Sequence, residues 1–407
     1  PHIAGLGALL KQQFPNWSPM AIKSAMMTTA RQTDTSDAPI KLANGAPATP
    51  LNYGAGEVVP AKSYSPGLVY DSNVVDWYTY ACGISQLQLV GGSDLCAQLP
   101  AKDPSDLNYP SISIGKLAGT QTVTRTVKNV NKSAMQYRAQ VQAPAGTTVT
   151  VVPDKITVTP GGSATFKVTI TRTDAALDQY TFGSLTWVPN KKDMNAVRSP
   201  IAVKPVALAA PGEVQGTVAG GSVDITVTPG FTGALGADVD GLLASTVNVL
   251  EPVAGETEED AAADFIVPAG TALTRLATYG EDVNAEDIDL YLYRVSDDGS
   301  ATLLTLSGNA GSSESLTVRL AQGKYRYAVD NFSGEDGVKV PVHLWNLTDA
   351  DAGNLTVTPN PVSVTTGTPV TVTASWTGLA ANQRYLGRVN FLDGSTVVGR
   401  TLVSVNP

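Results

Sequence analysis

The stretch that decides the fold is "QTVTRTVKNV" (121–130). Apolar and polar side chains alternate along it, the period-2 pattern of a strand with one face turned inward. The pattern recurs in "QYRAQVQ" (136–142), "TTVTVVP" (147–153), "KITVTP" (155–160), "ATFKVTITRT" (164–173) and "GSLTWVP" (183–189). Short strands separated by Gly, Pro and Asn turns predict a β-sandwich over residues 104–210. Beyond the break at "AAPGEVQG" (209–216) the alternation resumes in an acidic stretch. "EDIDLYLYRV" (286–295) and "GKYRYAVDNF" (323–332) predict strands of a second sandwich over 211–345, and "AGETEEDAAAD" (254–264) predicts an acidic loop. The run from "NLTVTPNPVSVTTGTPVTVTASWTGL" (354–379) to "TLVSVNP" (401–407) predicts a small third sandwich over 346–407. It faintly echoes "TVTPGGSATFKVTIT" (157–171).

Composition agrees with a mainly β protein. The 407 residues are 43% hydrophobic and only 15% charged, rich in Thr, Val, Gly and Ala. That is room for two to four domains, with the look of an extracellular β-rich chain. The net charge of −9 is uneven: residues 1–210 carry 18 Lys+Arg against 12 Asp+Glu, and the remainder 9 against 24. The halves are therefore different modules. No basic cluster interleaved with aromatics occurs, which argues against a nucleic-acid partner. No apolar run approaches the ~18 residues of a membrane span.

Helical periodicity is confined to the amino-terminal part. "HIAGLGALLKQ" (2–12) is apolar almost all round, with small residues Ala4, Gly5, Gly7 and Ala8, and predicts a helix buried on most sides. "NWSPMAIKSAMMTTA" (16–30) predicts a second helix, with Ser18 as N-cap, Pro19 at the first helical position and Ala21, Ile22, Ala25 and Met26 as its apolar stripe. Residues 32–66 read as loop, and "SNVVDWYTYACG" (72–83) as a short helix. Cys82 and Cys96 form either one disulfide, worth about 3 kcal/mol for such a loop, or two buried thiols. They lack the companions a zinc site needs.

Nucleophilic catalysis requires a nucleophile, a base and an orienting group. The two histidines do not supply them on their own. His343, in "VPVHLWNL" (340–347), reads as a structural strand residue, and His2 as a packed helical one. Asp282, Glu286, Asp287 and Asp289 in "EDVNAEDIDLY" (281–291) offer oxygen ligands of the kind calcium takes, but not at EF-hand spacing; a solvated acidic loop is the plainer reading. No cofactor is implied. Tyr291, Tyr293, Tyr325, Tyr327 and Trp345 are candidates for holding a polymer substrate, a cell wall or a partner, although alternation sends several of them inward.

The opening residues Pro1-His2-Ile3-Ala4-Gly5 resemble the end of the nucleophile motif of subtilisin-like serine proteases, Gly-Thr-Ser-Met-x-x-Pro-His-Ile/Val-Ala-Gly. "PNWSPMAIKSAMMTTA" (15–30) and "NYGAGEVVPAKSYSPGLVYD" (52–71) are similar to successive segments of the plant, cucumisin-like subtilases. "DLNYPSISI" (106–114) and "VTRTVKNV" (123–130) resemble the start of that family's fibronectin-III-like domain, and residues 217–345 resemble a bacterial prepeptidase-C-terminal-type sandwich. The first resemblance implies a chain that starts just after the catalytic serine, with the serine four residues before Pro1 and all three triad members upstream. Pro1, His2 and Gly5 then adjoin the missing nucleophile, and no catalytic residue lies on the chain itself. It also implies that Cys82 and Cys96 are the family's cysteine pair and are disulfide-bonded.

The expected organisation is a helical remnant of an α/β subtilisin catalytic domain (1–103), a fibronectin-III-like sandwich (104–210), an acidic prepeptidase-C-terminal-like sandwich (211–345) and a small terminal sandwich (346–407). The implied parent is a secreted, extracellular endopeptidase acting on protein or peptide substrates, with this piece inactive alone. The alternative is a non-catalytic binding or stabilising module.

Overall fold

The computed structural model describes residues 1–84, 95–99, 102–253, 261–332, 334 and 336–407, which divide into two compact units. The first spans Pro1–Ala209 with two short later segments, and the second takes most of the remainder. Strand dominates from Ile112 onward, as the alternation requires, and the described residues before it are helix and loop apart from one three-residue strand.

The first unit opens with helix α1 (His2–Gln13) and helix α2 (Pro19–Thr28). Ser18 caps α2 by accepting from the Ala21 amide at 2.9 Å, and Pro19 occupies the first turn, where its missing N–H leaves no bond unmade. Its strands are β1 (Leu68–Tyr70), β2 (Ile112–Leu117), β3 (Thr120–Asn129), β4 (Met135–Gln142), β5 (Thr147–Val152), β6 (Lys155–Val158), β7 (Ser163–Arg172), β8 (Thr181–Pro189) and β9 (Val197–Pro205). They form two sheets, β1-β3-β7-β5 and β2-β9-β8-β4-β6, face to face over one core. Phe166 and Trp187 meet edge to face at its centre, with ring centroids 4.9 Å apart.

Strand β1 joins the helices to this sandwich. It pairs antiparallel with β3, Leu68 opposite Asn129 and Tyr70 opposite Val127. Alternation sends Leu68 and Tyr70 into the sandwich core and Val69 the other way, onto Ala21 and Ala25 of α2. All three are fully buried. The Tyr70 hydroxyl lies 2.8 Å from that of Ser199 on β9, and the Tyr70 amide donates to Ser24 Oγ of α2 at 2.9 Å. Burial pushes the Tyr70 phenol pKa up, against the Ser199 bond. Three residues of the stretch expected to belong to the catalytic remnant are thus an edge strand of the following sandwich.

The second unit contains two sandwiches, and its chain path differs from the expected division at 345/346. The strand Gly221–Pro229 pairs along its length with Val370–Trp376, with Ile225 opposite Val372. Gly233–Ala244 pairs with Tyr385–Asp393, which pairs in turn with Thr396–Val405. Residues on both sides of the expected boundary therefore build one sandwich. The other is inserted within it, from two sheets: Thr246–Leu250, Val340–Thr348, Thr271–Ala277 and Ser315–Val318, against Ala262–Val267, Gly323–Asn331, Ile288–Val295 and Ala301–Ser307. Period-2 patterning reports that a segment is a strand but not which distant strand it pairs with, so the insertion left no local mark. Entry to and exit from the insert lie side by side: the Gly241 amide donates to the Ala350 carbonyl at 2.9 Å, and the Ala352 amide to the Gly241 carbonyl at 3.2 Å. Of the expected acidic loop 254–264, residues 254–260 lie outside the described residues, and Ala262–Asp264 opens a strand.

The host sandwich carries a buried ion pair where Gly233–Ala244 meets Tyr385–Asp393, and an exposed carboxylate, Asp349, joins it from outside. Arg388 Nε and Asn390 Nδ2 each donate to Asp240 Oδ2 at 2.7 Å, and Arg388 Nη2 donates to Asp349 Oδ1 at 2.6 Å. The facing surfaces of the two sandwiches join through Ala277, Trp345 and Leu386, with the ion pair Arg275–Glu213 beside them at 2.6 Å.

Candidate functional site

The residues of the opening motif stand at the exposed start of α1. The helix begins at His2, and the Pro1 carbonyl accepts from the Gly5 amide at 2.9 Å. Pro1, His2, Ile3, Ala4 and Gly5 are all exposed. This corrects the expectation that α1 is buried on most sides and His2 packed. Only Leu6 and Leu10 are buried, against Ile22, Phe14, Trp17, Met26 and Val58. Ile3 and Leu9 remain 52% and 53% exposed, and a methyl group built on Gly5 or Gly7 would meet nothing within 4 Å. The described residues supply packing partners for one side of α1, and its apolar character on the other sides is left facing outward.

His343 lies on the strand Val340–Thr348, as the alternation predicts, but in company the sequence did not signal. Its Nδ1 is 2.9 Å from the Ser245 hydroxyl. The ring stacks on Trp345 and meets Tyr279 edge-on, while the Arg384 guanidinium sits 3.5 Å over the Tyr279 ring. Burial, and then the nearby Arg384 charge, hold the His343 pKa down to about 4. The acids that could orient a base, Glu281 and Asp282, are both hydrogen-bonded to Arg384, at 3.0 and 2.6 Å. A buried imidazole this reluctant to take a proton is a packing element rather than a general base for Ser245.

The acidic residues weighed for calcium are dispersed into structural work. Asp282 holds Arg384, Asp287 accepts from the Gly311 amide at 3.0 Å, and Glu286 is exposed. The Asp289 carboxyl pKa is raised, by burial first and then by Asp287, Glu314 and Asp330. Among the described residues no group of three or more His, Cys, Asp or Glu side chains is arranged to hold a metal ion. Of the aromatic candidates, Tyr293, Tyr325, Tyr327 and Trp345 are buried, and Tyr291 is half-buried. Alternation turns Tyr325 and Tyr327 into the core of the insert, as it indicated for several of these candidates, and Trp345 packs between the two sandwiches. Cys82 and Cys96 are joined, with Cα atoms 5.5 Å apart. Among the described residues no helix is long and apolar enough to cross a membrane.

A cleft of ≈ 790 Å3 opens in the first unit beside the α2 amino terminus. Pro19, Met20, Val74 and Trp77 make its walls apolar; Asp71, Asn108 and Lys128 bring polar groups to it. Trp77 is fixed by edge contacts with Tyr80 and Tyr109, the latter also under the Lys23 ammonium at 4.8 Å. Asp71 accepts the Ser18 hydroxyl at 2.5 Å, and Asn108 ties the Asp71 and Thr126 carbonyls together at 2.8 and 3.0 Å. The Ser72 hydroxyl is buried and has no hydrogen-bond partner among the described residues. Trp77 sat in the sequence only as part of a short helix, and nothing local showed that it would line a cleft.

Comparison with known proteins agrees with the motifs. Residues 1–56 match the family model described as "Subtilase family". Residues 106–203 match "Fibronectin type-III domain". Over its amino-terminal half the chain is similar to subtilases. It is 40% identical over 211 residues to the Subtilisin-like protease SBT5.3 of Arabidopsis thaliana, covering 50% of this chain and 27% of that protein. It is also 40% identical over 215 residues to SBT3.16 of the same plant, covering 50% of this chain and 28% of that one. The chain spans about a quarter of the length of the curated relatives it matches. One solved structure with a remote likeness is the secreted serine protease VesC from Vibrio cholerae: TM-score 0.21, 11% identity, 58% of this chain and 48% of that one. The residues that resemble the end of the family's nucleophile motif form the α1 amino terminus, and the Leu-Val-Tyr of the later similar segment is β1.

Proposed function

We propose that this chain is the carboxy-terminal portion of a secreted subtilisin-like serine endopeptidase, whose Ser-His-Asp triad is carried by sequence preceding Pro1. The observation that supports this reading is α1 itself. It carries the subtilase motif at its amino terminus and an apolar surface, with Ile3, Leu9 and two unobstructed glycines, that the described residues leave uncovered. A helix of this composition is suited to a larger core packed closely around it. Its amino terminus would present free N–H groups and the positive end of the dipole beside a nucleophile. Pro1, His2 and Gly5 then adjoin the nucleophile. The substrates are proteins or peptides, and the Cys82–Cys96 bridge suits an oxidising, extracellular setting. The chain by itself is read as catalytically inert.

A fluorophosphonate probe tests this directly. The purified chain is expected to stay unlabelled, and the same chain preceded by a subtilase catalytic segment to label on serine. Labelling of the chain alone, or an unlabelled but folded extended protein, would overturn the reading.

A further inference from the structure

The outward face of the β3-β7-β5 sheet is an ordered lattice of hydroxyl groups. Three cross-strand threonine pairs stand with their hydroxyls in contact: Thr120–Thr171 and Thr122–Thr169 at 2.8 Å, and Thr126–Thr165 at 2.8 Å. Strand geometry spaces such rows about 6.8 Å along the strands and about 4.8 Å across them. Thr148 and Thr150 of β5 continue the first two rows, opposite Thr171 and Thr169. Lys167 occupies the row opposite Thr124, and Lys128 lies opposite Ser163. No Asp or Glu occupies a position of this face on β3, β5 or β7. Neither Lys128 nor Lys167 has an ion-pair partner among the described residues, although both are exposed.

This lattice runs into the Trp77 cleft, since Thr126, Lys128 and Ser163 belong to both. A repeating hydroxyl face with two unpaired ammonium groups thus leads to a concave end with an indole wall and an unpartnered buried hydroxyl, Ser72. We propose that this surface binds an acidic polysaccharide, a linear polymer of uronic acid residues. Each component matches that chemistry. Paired threonine hydroxyls both donate to and accept from ring hydroxyls. The ammonium groups of Lys128 and Lys167 stand two same-face rows apart, about 14 Å along the strands, and so meet carboxylates spaced several residues apart along the polymer. The Trp77 indole offers an apolar face to a sugar ring at the chain end. Charge complementarity selects the acidic polymer over a neutral one, because the sheet face itself carries positive charge alone and the one carboxylate of the cleft, Asp71, is engaged by the Ser18 hydroxyl, and the 1–210 half has the basic excess, 18 to 12. The cross-strand pairs also stabilise the sheet, but sheet stability does not call for unpaired lysines in the same rows.

Affinity electrophoresis of the whole 407-residue chain through native gels containing polygalacturonate tests the proposal. The chain as a whole is at −9, so unspecific attraction to a polyanion is not available to retard it. Retardation is expected in polygalacturonate gels, absent in hydroxyethylcellulose gels, and diminished by 0.3 M salt on the order expected for screened surface charges, whose Debye length there is below about 8 Å. The double variant Lys128→Thr, Lys167→Thr keeps strand-forming side chains and is expected to bind about tenfold more weakly. Thr122→Val with Thr169→Val removes two hydroxyls at nearly constant shape and is expected to weaken binding as well. No retardation of the parent chain, equal retardation in the neutral gel, or unchanged retardation of the folded lysine variant overturns the proposal.

Discussion

Leu68→Ala probes whether the helical segment and the first sandwich are one cooperative structure. Leu68 is fully buried in the sandwich core, on the strand whose next residue, Val69, is buried against Ala21 and Ala25 of α2. Truncation removes about three carbon atoms from a closed site. That loses roughly 2 kcal/mol of transfer free energy, and the cavity adds up to about as much again. A loss near 3 kcal/mol corresponds to a fall in Tm of about 6–12 °C for a unit of this size. Hydrogen exchange read by mass spectrometry at low urea distinguishes where that loss appears. If β1 couples the two parts, amides of α2 and of β3 and β7 lose protection together and by the same amount. Faster exchange in β3 and β7 with α2 unchanged, or the reverse, would refute the coupling, and with it the assignment of β1 as their common element.

Two further outcomes follow from the second unit. Arg388→Ala leaves Asp240 buried without its cationic partner and should cost about 3–5 kcal/mol in urea unfolding, whereas Arg388→Met with Asp240→Asn, which removes both charges, should recover most of that; equal losses would mean that the pair matters only for its packing. His343 has a folded pKa of about 4, below its unfolded value near 6.5, so the unfolded chain takes up the proton first as pH falls. Stability of this unit should therefore decline between about pH 6.5 and 4, by an amount on the order of 3 kcal/mol, and His343→Gln should flatten that slope; an unchanged slope in the variant would place the titration elsewhere.

The strands were legible because each carries its own evidence: Val123 and Val127 of β3 are buried while Thr122 and Lys128 face out, as alternation says. The α2 start was equally local, fixed by Ser18 and Pro19. What stayed hidden was whatever depends on partners far along the chain. Leu68–Tyr70 is too short to show a period, and its place beside β3 is set by pairing some sixty residues on. Ser245 meets His343 across 98 residues, and neither has a neighbour in sequence that announces the contact. The burial of α1 could not be read from its composition, because apolar residues state a preference and only the surrounding chain can satisfy it. The hydroxyl lattice was in view as threonines in alternation, but its flat continuity across three strands exists only once register is known.

The inserted sandwich also has a consequence in time. The host needs Gly221–Pro229 to find Val370–Trp376, and Gly233–Ala244 to find Tyr385–Asp393. Between these partners the ribosome must synthesise the whole of 246–348, which at about 5–20 residues per second takes roughly 5–20 s. During that interval the earlier host strands have left the exit tunnel without their mates, while the insert can complete both of its own sheets. The insert then holds its two ends together, since Gly241 and Ala350–Ala352 are hydrogen-bonded neighbours, and so brings the late strands to the early ones. The order of translation makes the guest domain a scaffold on which its host is finished.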